Sequence, residues 1–264
     1  MPHSHRLGRI VQHDARSRRY AVSPTDPASL VSIRHTRYAP ILNQGDLGCC
    51  TGCAAIGALS TGGLFEALEP YLQEALCRED DALGLAVQVY ATATTLDEWP
   101  GSWPPDDTGS SGLAVAKTLH HAGWISGYRH AFGLDAALTA LAQAPVITGL
   151  PWYSSMYAPN EEGRLRIAVD AVVDGGHEVV LDELDVERQR VWMTNSWGPG
   201  WGIAGRAWLS WADFARLLSE QGDVTVLVPR SESAPLPSRT PCRERLSGWW
   251  LQLRLAVLEL VHRL

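Results

Sequence analysis

Three short stretches of this 264-residue chain hold the residue types of nucleophilic catalysis. The first, Asn43-Gln44-Gly45-Asp46-Leu47-Gly48-Cys49-Cys50-Thr51-Gly52-Cys53-Ala54-Ala55, is a glycine-bearing loop that runs into an alanine-rich segment read as a helix. A cysteine at that junction meets unpaired backbone N–H groups and the positive end of a helix dipole. Both favour a thiolate, so the position predicts a lowered thiol pKa and attack on a carbonyl carbon. Gln44 lies upstream in the same loop, and its side-chain amide suits a substrate's carbonyl oxygen. With the backbone N–H of Cys50 it would form an oxyanion hole, where one lost donor costs on the order of 10²–10³ in rate.

The second stretch, Asp174-Gly175-Gly176-His177-Glu178-Val179-Val180, sets His177 after two glycines at the start of a strand. Glycines there let the backbone approach a substrate and leave the imidazole unobstructed. The third, Thr194-Asn195-Ser196-Trp197-Gly198-Pro199-Gly200-Trp201-Gly202, offers Asn195 to the far nitrogen of that imidazole, fixing its tautomer. Trp197 would shield the hydrogen bond from water and so strengthen it. Taken singly, a Gly-Gly-His is more often a turn with a satisfied histidine, and such an asparagine a turn residue. Their joint occurrence reverses that balance. His120 and His121 end a helical run, where a positive charge is favourable without any catalytic role.

Cys50-x-x-Cys53 alone would suggest zinc or thiol exchange. A zinc site needs further ligands, and no second cysteine pair or closely spaced histidine pair follows downstream. No metal and no cofactor is therefore expected. Five cysteines, three of them crowded together, do not make a disulfide framework and fit a reducing compartment.

Positioning these residues takes a sizeable fold. Helical patterns cover 50–64, 83–95, 112–122 and 135–143, whereas 146–150, 178–181, 190–194, 206–209 and 224–228 read as strands. Helices first and strands second predict an α+β protein of two lobes. Residues 1–40 read as an extended arm on the body, too short for a self-folding inhibitory domain. Its cluster of Arg6, Arg9, Arg16, Arg18 and Arg19 reads as a solvated tail. Residues 41–144 then form a helical lobe with Gln44 and Cys50, and residues 145–230 a strand-rich lobe with His177, Asn195 and Trp197. Residues 231–264 are a linker and an amphipathic helix (Leu246, Trp250, Leu253, Val257, Leu260, Leu264) suited to docking on the body, to self-association or partner binding, or to contact with a membrane interface.

A net charge of −7 supplies no positive field to gather nucleic acid. No stretch is long and uncharged enough to span a bilayer, and the first twenty residues lack the apolar core of a secretory signal. The expected location is the cytoplasm, or outside the cell by a non-classical route.

Together the Gln-Gly-x-x-Gly-x-Cys loop, the Gly-Gly-His strand start and the Asn-Ser-Trp-Gly-x-Gly-Trp-Gly turn resemble the papain family of cysteine peptidases, in that family's order of Cys, His and Asn. The likeness covers about residues 28–228. It implies a papain-like fold with a helical lobe, a β-barrel-like lobe and an active site between them, acting on peptides or proteins. The family places its nucleophile six positions after the oxyanion glutamine, which implies Cys50 rather than Cys49 or Cys53. It implies His177 as base, Asn195 as orienting residue and Gln44 as oxyanion donor. A glycine loop that binds substrate corresponds to Gly109, Ser110 and Ser111, and Gly176 is a further expected substrate contact. Thr51 stands where papain has Trp, as in bacterial-type members, and Leu47 replaces the cysteine that forms a disulfide in secreted members. Two other readings share this scaffold: a catalytically silent binding protein, and a Cys–His amidase or acyltransferase acting on a non-protein amide.

Overall fold

The computed structural model describes residues 6–230. Its helices are Cys50–Leu59 (α1), Gly62–Glu66 (α2), Pro70–Leu76 (α3), Glu79–Ala93 (α4), Gly112–His121 (α5), Leu134–Gln143 (α6) and Trp211–Ser219 (α7). Its strands are Ile33–Arg34 (β1), Gly127–His130 (β2), Val146–Tyr153 (β3), Val173–Asp185 (β4), Arg190–Thr194 (β5), Arg206–Ser210 (β6) and Asp223–Val228 (β7). The class is α+β, as the sequence predicts.

All ten residues of α1 are buried, which its run of Gly, Ala and Cys permits. At Gly52 a Cβ would lie 2.1 Å from the carbonyl oxygen of Ala86. The backbones of α1 and α4 therefore touch at a distance only glycine allows. The opposite side of α1 packs on β4. Ser111 caps α5 by accepting a hydrogen bond from the Ala114 N–H (3.1 Å), and Ser210 caps α7 in the same way through Asp213 (3.1 Å).

The strands form one antiparallel sheet in the order β2-β7-β3-β4-β5-β6, with β1 added to β4. Every side chain of β3 is buried, so the strand is covered on both faces. One apolar cluster joins α1 and α3–α5 to Ile147, Val180 and Leu227; another joins α6 and α7 to Trp152, Leu181, Met193 and Leu209. Although α6 falls within the 41–144 segment assigned to helices, it packs in the cluster built on the strands.

The solvated-tail reading of the N-terminal arginines needs correction. Arg16, Arg18 and Arg19 do lie at the surface, but the Arg9 side chain is only 1% exposed and enters the body of the protein. A sequence shows charge and not its partners, and here the partner is the carboxylate of Asp223, at the far end of the described residues. Among the described residues no helix is long and apolar enough to cross a membrane. The predicted linker and amphipathic helix at 231–264 lie outside the described residues.

Candidate active site

Sheet register brings the first pair together. On the β4–β5 ladder Val180 faces Thr194. Carried on by one residue, that pairing sets Asn195 opposite Val179 and diagonal to His177 on the same face. The resulting hydrogen bond, from His177 Nε2 to Asn195 Oδ1, measures 2.7 Å and is buried. Asn195 Oδ1 also accepts from the Ser196 N–H (2.7 Å), which fixes the amide with its oxygen towards the ring. An oxygen there requires Nε2 to carry the proton, leaving Nδ1 as the ring nitrogen directed away from Asn195.

Aromatic rings enclose this imidazole. Trp197 stacks on it with centroids 4.7 Å apart, and Trp152 meets it edge-on at 4.8 Å. Tyr157 stacks on the far side of Trp197 at 5.6 Å, and Trp201 meets Trp197 edge-on at 5.5 Å. Trp197 thus covers one face of the ring that bonds Asn195. Trp152 carries no mark of its own in the sequence; it lies one residue before the end of β3 and pairs with Gly175 in the β3–β4 ladder.

Cys50 is the first residue of α1, with Cys49 as the preceding cap, and no part of it is exposed. The backbone of Glu178, the residue after His177, and that of Gly8 lie close enough to its sulfur to lower its pKa. The nucleophile candidate and the base candidate are therefore brought to one place by α1 and β4. Cys49 points elsewhere, with its sulfur 3.9 Å from that of Cys53. Gln44 is tied to the asparagine turn: its Oε1 accepts from Ser196 Oγ (2.6 Å), and its backbone N–H donates to the Ser196 carbonyl (2.9 Å). This aims the Gln44 amide N–H groups back towards the loop, where they donate to Leu47 O (2.8 Å) and Arg6 O (3.0 Å).

Arg6 belongs to a segment that sequence reading placed on the body without locating. Residues 6–12 run through the groove between the two sides of the site. The Ser110 N–H donates to Gly8 O (2.8 Å) and the Ile10 N–H to Ser110 O (2.7 Å), a parallel bridge centred on Arg9. From the opposite wall Gly176 O accepts the Arg9 N–H (3.0 Å). Ser111 Oγ bonds Gln12 Oε1 (2.5 Å), and a Cβ on Gly109 would lie 2.5 Å from Gly8 O. Gly109, Ser110, Ser111 and Gly176 thus all contact an extended peptide, that of the chain itself.

This occupancy sets the electrostatics. Burial pushes the Cys50 thiol up to about 12, with the nearby Glu178 carboxyl adding to the shift and the backbone of Glu178 and Gly8 opposing it. The lowered thiol pKa expected of a helix N-terminus is therefore not found, because loss of water outweighs the helix dipole while the arm covers the sulfur. Glu178 is itself raised, by burial first and by Asp223 second, with Arg9 pulling the other way. Among the described residues no group of three His, Cys, Asp or Glu side chains could hold a metal ion.

No protein-family model and no curated protein matches the chain. Solved structures do. Xylellain, a cysteine protease from Xylella fastidiosa, aligns with a TM-score of 0.65 at 18% identity, over 85% of this chain and 96% of its own. The fold is that of the papain-like cysteine proteases. Procathepsin B S9 from Trypanosoma congolense aligns at 0.57 with 10% identity, over 85% of this chain and 87% of its own. Digestive procathepsin L2 from Tenebrio molitor larval midgut aligns at 0.54 with 15% identity, covering 85% and 78%. At such identities the papain-like likeness speaks for the fold, and the chemistry rests on the side chains described above.

Proposed function

We propose that the chain is a cysteine peptidase, with Cys50 as nucleophile, His177 as acid and base, Asn195 as the residue that orients His177, and Gln44 as oxyanion donor. The observation that carries this reading is the buried His177 Nε2–Asn195 Oδ1 hydrogen bond of 2.7 Å beside a helix-initiating cysteine. The bond dedicates Nε2 to Asn195, so Nδ1 is the nitrogen that exchanges a proton with the Cys50 thiol. The thiolate adds to a peptide carbonyl, and Gln44 Nε2 with the Cys50 N–H takes up the oxyanion charge. Protonated His177 gives its proton to the leaving amine. Water, deprotonated by His177, then releases the acid product and the thiolate. Gly109, Ser110, Ser111 and Gly176 hold the substrate backbone.

A peptide substrate is favoured over a non-protein amide because an extended peptide, residues 6–12, already finds backbone partners on both walls of the groove. With that segment in place the enzyme is latent: the thiol stays protonated and Gln44 is engaged by the Arg6 carbonyl. Withdrawal of the arm would return water to the sulfur and let the helix dipole act on it. The reading is tested by incubating the full chain with a peptidyl fluoromethylketone and mapping the adduct by mass spectrometry. An adduct on Cys50 that disappears in Cys50→Ala is expected. Absence of any Cys50 adduct between pH 5 and pH 9, including in the Arg9→Ala variant, would leave a binding scaffold instead.

A further inference from the structure

Beyond the reacting groups, the groove opens into a pocket whose acidity no catalytic step uses. Three strands build it. Gly149 on β3 pairs with Glu178 on β4 at one side and with Asp223 on β7 at the other, so the two acids flank one glycine on one face of the sheet. The missing side chain is what makes room. A Cβ on Gly149 would lie 2.5 Å from Arg9 Nε, 2.8 Å from Asp223 Oδ2 and 2.9 Å from Glu178 Oε2. Gly112 closes the pocket from α5, where a Cβ would lie 2.6 Å from Glu178 Oε1.

The guanidinium of Arg9 fills this space. Its Nη2 bonds Asp223 Oδ2 and donates to the Gln221 carbonyl at 2.6 Å. Glu178 is 1% exposed, and neither of its carboxylate oxygens has a hydrogen-bond partner among the described residues. Arg9 Nε is equally without one. A buried carboxyl group with no fixed partner is costly, and a core that needed only packing would not retain it. Nor is the pocket a sealed core: a cavity of about 480 Å³ adjoins it, lined by Gln12, Asp14, His130, Asp223 and Thr225 among others. Glu178 directly follows His177 on β4, so whatever fills the pocket lies next to the reacting groups.

We propose that Glu178 and Asp223 form a specificity pocket for an arginine side chain of the peptide substrate, which Arg9 of the arm occupies in the latent chain. This inference rests on the peptidase reading and names its substrate class. The two acids and the Gln221 carbonyl present acceptors on separate sides, which suits the five donors of a planar guanidinium better than a single lysine ammonium.

The test uses the full chain carrying Arg9→Ala. Fluorogenic tetrapeptides with arginine, lysine or leucine at each position are compared by kcat/KM. The expected result is a preference of tenfold or more for arginine over leucine at one position, reversed in Arg9→Ala with Glu178→Gln and Asp223→Asn. Equal or better cleavage of the leucine peptides overturns the proposal. A second readout needs no turnover: N-acetyl-arginine amide should raise the Tm of Arg9→Ala but not of the triple variant, and N-acetyl-leucine amide should raise neither. If no peptide is cleaved, the peptidase reading fails while this shift still decides the pocket, and its absence overturns the pocket. Should Arg9→Ala not fold, the wild-type chain serves: arginine amide should speed labelling of Cys50 by displacing the arm, and no acceleration counts against the proposal.

Discussion

The two sides of the groove hold their reactive groups by different means. On the sheet side, His177 sits on β4 and Asn195 directly follows β5, their spacing set by the β4–β5 register and their surroundings by four aromatic rings. On the helix side, Gln44 and Cys50 depend on a loop tied down by a few hydrogen bonds. These run from Ser196 Oγ to Gln44, from the Gly48 N–H to Asp107 at 2.9 Å, and from Tyr90 to Asp107 at 2.5 Å. A ladder distributes strain over many bonds, whereas a loop concentrates it in single contacts. The imidazole should therefore keep its place when its one hydrogen bond is removed, whereas the Gln44 amide is placed by single contacts alone.

Substitutions can sharpen or break that contrast. The largest effect is expected from Cys50→Ala, which should lower peptidase activity by on the order of 10⁴ or more while the melting temperature stays nearly unchanged. Cys49→Ser, one residue away, should remain active, and comparable losses in both would undo the assignment of the nucleophile. Gln44→Ala follows, with a fall in kcat of about 10²–10³ and little change in KM, read from steady-state kinetics on a peptide substrate. Asn195→Ala should cost about 10² in kcat, since the aromatic cage still holds the ring after the hydrogen bond is lost. A loss as large as that in Cys50→Ala would mean that the cage does not position the base. Ser196→Ala removes one hydrogen bond to Gln44, worth roughly 1 kcal/mol or about fivefold in rate.

At neutral pH the thiol's contribution to stability changes least of all. An unfolded thiol ionises near 9.0, whereas the buried Cys50 keeps its proton until about 12. The stabilisation is thus complete below pH 9 and lost as pH rises from 9 towards 12. Between those values the Tm of the wild-type chain should fall more steeply than that of Cys50→Ala, and parallel curves would show that the thiol is not shielded.

Much of this was legible in the sequence because it is local. The cysteine at a loop–helix junction, the glycines before His177 and the Asn-Ser-Trp-Gly turn each declare themselves within a few residues. The strand at 190–194 and the helix beginning at 112 could be placed by pattern because one face is apolar and turn residues bound them. Short or mixed segments could not: α2 and α3 are five and seven residues long, and β2 carries Arg129 and His130 within four residues. Least legible was the acidic pocket. Arg9, Glu178 and Asp223 become neighbours only when β3 inserts between β4 and β7, and no local pattern encodes that insertion. The direction of the Cys50 shift escaped for a similar reason, since a helix terminus is visible in sequence and a covering segment is not.

Because the segment filling the groove belongs to the same molecule, its hold is unimolecular. Diluting the protein should not free the sulfur, and labelling rates per molecule should not vary with protein concentration. A detached peptide of the same sequence would need roughly millimolar concentration to match the tether. Severing the connection after Gln12 would therefore turn a permanent occupant into an ordinary weak competitor, one that disperses at cellular dilution and leaves the groove to other chains.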